Sequence, residues 1–188
     1  MVSLIVVFYL FIVMFGIIGA LRGWAKEMLV TFSVILALFI VTLVNEYATF
    51  VPPLDRPETL PVTGEALKTL RMAFFTRVGI IVVLAYFGYQ TEILKRFFKT
   101  ERLIRQHLQD LLLGLFLGAV NGFLIGGSIL YYIEKTSYQI STLITPPPEE
   151  VTSTMQHLLV FLPPTWLQEP VIYFAVGIAF VFVLVVFI

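Results

Sequence analysis

The stretch GLFLGAVNGFLIGG, residues 114–127, places glycines at 114, 118, 122 and 126 inside an apolar run. Residues four apart lie on one face of a helix, so this spacing predicts a groove without side chains. In water, each interior glycine costs about 0.5–1 kcal/mol relative to alanine. In lipid, helices associate through close backbone approach, which stripes of small residues permit. We therefore expect a transmembrane helix with a packing face formed by Gly114, Gly118, Gly122 and Gly126, the alternative being a ligand or pore surface.

Composition supports a membrane setting. Of 188 residues, 59% are hydrophobic and 13% are charged, whereas soluble domains carry about 25% charged residues. The formal net charge of zero argues against a nucleic-acid partner, which needs a basic stripe. The absence of cysteine excludes disulfides, cysteine zinc sites and thiol nucleophiles. His107 and His157 lack partners at metal-ligand spacing, so we expect neither a metal nor a cofactor.

The hydropathy pattern predicts an all-α polytopic bundle of four to five spans, forming a single membrane domain over residues 1–188. The spans fall at about 2–21, 28–44, 72–89, 111–133 and 170–188. The last segment is either a full span or a membrane-surface element. Positive charges follow the first apolar run instead of preceding it, which predicts an uncleaved first helix with its N-terminus outside.

Basic residues indicate the same orientation. The predicted inner loops, 22–27 and 91–110, hold seven Lys and Arg residues, and the outer loops, 45–71 and 134–169, hold four. Within 91–110, apolar residues alternate with basic ones at helical spacing, which predicts an amphipathic helix on an anionic leaflet or a solvated cytoplasmic helix. Asp110 is expected to cap the glycine-rich helix that follows. The basic residues are Lys95, Arg96, Lys99, Arg102 and Arg105.

One charged residue and one amide, Arg77 and Asn121, fall inside predicted spans. Arg77 either reaches the outer interface as a structural residue or lines a solute path, because a charge within a span usually faces a partner or a cavity. Asn121 is expected to hydrogen-bond another helix, with substrate contact as the alternative.

The corner between the first two spans is charged. In it, Arg22 and Lys26 act as a topology signal, and Glu27 pairs with Arg22 or with the 91–110 helix. Gly19 and Gly23 form a further glycine step at this corner. Because the sequence contains no recognisable catalytic motif, we do not expect enzyme activity.

Two stretches resemble the colicin V production protein family (CvpA family). GIIGALRGWAKEMLVTFSVILALFI, residues 16–40, is similar to the family's N-terminal motif, and DLLLGLFLGAVNGFLIGG, residues 110–127, to its second signature. The resemblance covers most of residues 1–133. It implies a multi-pass bacterial inner-membrane protein linked to colicin V production or export and to envelope homeostasis. The matching residues are Gly19, Arg22, Gly23 and Glu27, and then Asp110, Gly114, Gly118 and Gly122.

Three hypotheses follow. In the first, the protein supports toxin production, export or envelope maintenance, with an export or envelope protein as partner. Its glycine helix then packs against the first hairpin or against a second copy. In the second, it is a small oligomeric channel or transporter with Arg77 and Asn121 on the pathway. In the third, it is a membrane scaffold whose 91–110 helix recruits a partner or anionic lipid.

Overall fold

A computed structural model describes residues 4–54, 57, 61–90, 104–141, 144, 146–147 and 149–187. Within these residues the protein is all-helical and contains no strand. The helices are α1 (Leu4–Arg22), α2 (Trp24–Tyr47), α3 (Gly64–Tyr89), α4 (Ile104–Lys135), α5 (Glu149–Phe161), α6 (Pro163–Trp166) and α7 (Val171–Phe187).

Four of these helices are long and apolar enough to cross a membrane. They are α1, α2, α3 and the Leu108–Lys135 part of α4. The predicted span 170–188 corresponds to α7, whose 17 residues extend about 26 Å, somewhat less than a hydrocarbon core of about 30 Å. α7 packs along α2, where the Phe32 and Phe182 ring centroids lie 5.3 Å apart. The described residues thus form a helical bundle with four candidate spans.

The core lies along α2, which contacts α3, α4 and α7. Its buried apolar residues recur at helical spacing, so that one continuous face is turned inward. The opposite faces of the helices carry exposed apolar side chains, such as Leu10 and Leu21 on α1 and Phe116 on α4. In a bilayer such surfaces contact lipid tails. The buried α2 stripe consists of Val30, Val34, Ala37, Leu38 and Val41.

The first helix packs antiparallel to the fourth. Gly19 lies against Gly114, and Phe15 lies against Gly118. Further along, Phe11 lies against Gly126, so α1 residue numbers fall as α4 numbers rise. This helix pair contains the glycine-rich stretch of the sequence and therefore positions the site described below.

Helices extend beyond the predicted spans. The corner 22–27, predicted to be a connection, is almost entirely helical, because only Gly23 separates α1 from α2. α3 begins at Gly64, inside the predicted loop 45–71, and α4 begins at Ile104. A helix satisfies its backbone hydrogen bonds internally, so it continues through polar residues beyond the apolar stretch that hydropathy detects. The predicted 134–169 loop contains α5 and α6.

Candidate functional site

Gly23 forms a tight corner between α1 and α2. It has φ of 87°, a left-handed backbone conformation that glycine adopts without steric cost. A Cβ atom at this position would lie 2.8 Å from Oδ1 of Asp110. The same Asp110 oxygen accepts a hydrogen bond from the backbone N–H of Trp24, at 3.1 Å.

The expectation that Asp110 caps its own helix is therefore wrong. Asp110 lies inside α4, which begins six residues earlier at Ile104. Its carboxylate instead accepts the first backbone N–H of α2, one of the donors that a helix start leaves without an intrahelical partner. Asp110 thus joins the start of α2 to the side of α4.

Glycine contacts continue from this corner along α1 and α4. A Cβ on Gly19 would lie 2.2 Å from the carbonyl oxygen of Gly114, and one on Gly118 would lie 2.3 Å from that of Phe15. At Gly122 and Gly126 the nearest atoms belong to the Phe15 and Phe11 side chains, at 2.8 and 2.9 Å. The glycine-rich face of α4 is therefore covered by α1 of the same chain.

The carboxylate of Glu27 is fully buried beside this contact. Its Oε2 accepts hydrogen bonds from Asn121 Nδ2 at 2.9 Å and from the Tyr89 hydroxyl at 3.2 Å. Its Oε1 lies 3.5 Å from Nη1 of Arg22. Side chains from α1, α3 and α4 thus converge on one carboxylate of α2.

Arg22 compensates the buried negative charge. Its Nη2 donates a hydrogen bond to the backbone oxygen of Tyr89 at 3.1 Å, and its Cζ lies 4.4 Å from the centre of the Tyr89 ring. Arg22 Nη1 and Glu27 Oε1 form no hydrogen bond within the described residues, although they are in ion-pair range. Removing one partner of such a pair leaves an uncompensated buried charge, which is strongly destabilising.

Asn121 has protein partners for both ends of its amide. Besides the carboxylate, its Nδ2 donates to the backbone oxygen of Glu27 at 3.1 Å. Its Oδ1 accepts from the Thr31 hydroxyl at 2.8 Å. This residue is fully buried near the middle of α4, where such bonds fix the position of the helix relative to α2.

We call Arg22, Glu27, Thr31, Tyr89 and Asn121 the carboxylate cluster. Sequence reasoning singled out three of these residues and missed Thr31 and Tyr89. Thr31 follows Glu27 by four residues, which places both on one face of α2. Tyr89 carries no comparable signal, because only the tertiary fold brings the end of α3 to the start of α2.

Arg77 belongs to a separate cluster. It is 2% exposed, and its Nε donates to Asn45 Oδ1 at 2.8 Å. Its Nη2 donates to the backbone oxygen of Pro52 at 3.1 Å. Asn45 lies 18 residues beyond Glu27 on α2, or about 27 Å at 1.5 Å per residue. The fold therefore does not bring Arg77 next to Asn121.

The remaining predicted site is the basic helix. Lys95, Arg96, Lys99 and Arg102 lie outside the described residues. Arg105 falls in the first turn of α4. Within the described part of the chain, no group of three or more His, Cys, Asp or Glu side chains is arranged to hold a metal ion.

Fold and site together define an all-helical protein with four candidate membrane spans and a buried charged cluster at one end. No family model, curated protein or solved structure matches this chain.

Proposed function

We propose that this chain is a multi-pass protein of the bacterial inner membrane, similar to the colicin V production family. In this role it supports toxin production or export, or envelope homeostasis, as a non-catalytic helical assembly. One observation carries the proposal: the two stretches that resemble the family lie about 90 residues apart in the sequence and meet in the fold. Gly19 contacts Gly114 and Gly118, and Gly23 adjoins Asp110.

The polar contacts support a structural role for these residues. Asn121 satisfies both ends of its amide within the bundle, and Glu27 has donors from two other helices. A buried carboxylate with donors on neighbouring helices joins those helices. Because α1 covers the glycine face of α4, we assign assembly with an export or envelope partner, or with a second copy, to other surfaces.

A deletion strain tests the proposal. We expect loss of the protein to reduce colicin V secretion or resistance to envelope stress, and expression of the wild-type chain to restore the phenotype. Glu27→Ala should fail to restore it, whereas Glu65→Ala, which changes an exposed residue paired with the exposed Lys68, should succeed. If the wild-type chain is present in the membrane and neither phenotype responds to it, the proposal is wrong.

We propose that the N-terminus and the 45–71 loop face outward and that the start of α4 faces the cytoplasm. The excess of Lys and Arg in 22–27 and 91–110 supports this orientation. Because the chain has no cysteine, single cysteines can report it. In intact spheroplasts, Lys68→Cys should react with a membrane-impermeant maleimide and Gln109→Cys should not; the reverse pattern would invert the topology.

The channel or transporter hypothesis is the alternative. Arg77 bonds to Asn45 and Asn121 bonds to Glu27. Asn45 and Glu27 lie about 27 Å apart along α2. This distance favours separate packing roles for Arg77 and Asn121 over one shared path. Liposomes containing folded wild-type protein should therefore show no solute flux above that of empty vesicles. Flux that disappears in Arg77→Ala would support the channel instead.

A further inference from the structure

A cavity of about 300 Å³ lies at the end of the bundle opposite the carboxylate cluster. It is bounded by the last turns of α2 and α4, by α6 and by the segment leading into α7. Leu38 and Leu167 supply apolar walls, and Thr42, Tyr132, Gln168 and Glu169 supply polar ones. Its volume is at the small end of ligand pockets, so it suits a compact group.

The polar lining presents more hydrogen-bond acceptors than donors. The Thr42 hydroxyl donates its proton to the backbone oxygen of Leu38 at 3.0 Å, which leaves its oxygen as an acceptor. Gln168 Nε2 donates to the backbone oxygen of Pro164 at 2.8 Å, which leaves Oε1 as an acceptor. Glu169 contributes a carboxylate. A group that satisfies these atoms must carry several N–H or O–H donors.

Glu169 also gives the cavity a negative charge. The Tyr173 hydroxyl donates to its carboxylate and holds the pKa of Glu169 below its usual value. Glu46 adjoins the same carboxylate, so a second acidic group lies at the rim. The Glu46 side chain is hydrogen-bonded to Glu169, which helps to keep the negative charge on Glu169.

Two tyrosine side chains also line the cavity. Tyr131 lines the cavity, and the ammonium group of Lys135 lies 5.5 Å from its ring centre. Tyr132 also lines the cavity and is 5% exposed. Its hydroxyl forms no hydrogen bond with any residue in the described part of the chain. This hydroxyl can therefore donate to, or accept from, a polar group in the cavity.

Asn45 supplies hydrogen-bond donors to the cavity. Its Oδ1 accepts from Arg77, so the amide N–H donors are the part of Asn45 left for a ligand. A ligand that carries an ammonium group next to an acceptor oxygen would use both halves of the cavity. The ammonium group would meet Glu169, and the oxygen would meet Asn45 or Tyr132.

We propose that this cavity binds a primary ammonium group with a neighbouring oxygen, as found in an ethanolamine lipid headgroup or a small free amino alcohol. The proposal is independent of the proposed function, since it uses none of the residues of the carboxylate cluster. The cavity is then a recognition site, located at the end of the bundle where α2 ends.

Free ethanolamine is the first probe. The chain has two tryptophans, so Trp24→Phe leaves Trp166, next to the cavity residue Leu167, as the only one. In phosphatidylglycerol nanodiscs, ethanolamine should change Trp166 fluorescence saturably, and ethylene glycol, which lacks the ammonium group, should not. Glu169→Gln should weaken binding about tenfold, as expected for loss of one charge-assisted contact.

The second arm tests the lipid source. Protein released from nanodiscs of mixed phosphatidylethanolamine and phosphatidylglycerol should retain phosphatidylethanolamine in native mass spectrometry, and Glu169→Gln should lose that preference. Retention of phosphatidylethanolamine would identify the headgroup as the ligand, whether or not free ethanolamine also binds, and binding of free ethanolamine without that lipid preference would identify a small amine.

Two variants provide controls. Tyr132→Phe removes only a hydroxyl and should weaken binding in whichever arm responds, while Glu65→Gln, at an exposed site outside the cavity, should bind as the wild type does. Circular dichroism confirms that each variant is folded. If folded wild-type protein neither binds ethanolamine nor prefers phosphatidylethanolamine, or if Glu169→Gln and Tyr132→Phe both leave binding unchanged, the proposal is overturned.

Discussion

Adding one methyl group to Gly19 should separate α1 from α4. Its Cβ would lie 2.2 Å from the Gly114 oxygen and 2.7 Å from the Gly118 Cα. Ordinary contact begins near 3.4 Å, so the helices must move apart by about 1.2 Å, since both obstructing atoms are backbone atoms. Overpacking of this kind costs about 1–3 kcal/mol. The helix propensity gained by replacing glycine with alanine offsets about 0.5–1 kcal/mol of that cost.

Gly79→Ala is the matched control, because nothing lies within 4 Å of a Cβ at that position. It gains the same helix propensity without the clash, so the propensity term cancels and the two variants should differ by about 1–3 kcal/mol in free energy of unfolding. Reversible unfolding by dodecyl sulfate in mixed micelles, followed by circular dichroism, measures this difference. Equal midpoints for Gly19→Ala and Gly79→Ala would refute the backbone contact between α1 and α4.

The other predictions concern polar contacts. Glu27→Ala should lower the free energy of unfolding by about 3–5 kcal/mol in the same assay, because it leaves the half-buried Arg22 guanidinium without its counter-charge and the buried Asn121 amide without its carboxylate acceptor; a loss as small as that of Glu65→Ala would contradict the cluster. Asp110→Ala removes the acceptor for the first N–H of α2 and should cost about 1 kcal/mol; an unchanged midpoint would count against that cap. Arg77→Ala should release the 48–54 segment, so proteases should cleave that segment faster in Arg77→Ala than in the control variant Lys68→Ala. Equal cleavage rates would show that Arg77 does not hold the segment.

Much of the helix arrangement is predictable from local sequence. Long apolar runs mark the spans because a bilayer requires about 20 residues to cross. The glycine spacing from 114 to 126 marks a packing face because 3.6 residues make one helical turn. Arg22 and Glu27 form an ion pair across Gly23 because they are close in sequence. In each case the signal lies within a few residues of the feature that it predicts.

Other contacts depend on residues distant in sequence. Asp110 was expected to act on its own helix, but its acceptor role serves Trp24, 86 residues away. Tyr89 reaches Glu27 across 62 residues, and neither position has a pattern that indicates the pairing. The separation of Arg77 from Asn121 is also not predictable from the sequence. A hydropathy pattern gives the length of a span, but it does not show which residues of different spans lie at the same depth in the bundle.

The pairing of the first helix with the fourth imposes an order on biogenesis. Gly19 leaves the ribosome 95 residues before Gly114, its contact partner, a delay of roughly 5–20 s at ordinary rates of synthesis. During that interval the first hairpin has Gly19 without its α4 contact and Glu27 without its Asn121 partner. An insertase or chaperone that shields this hairpin would therefore act only on the nascent chain, and its client would be an intermediate absent from the finished protein.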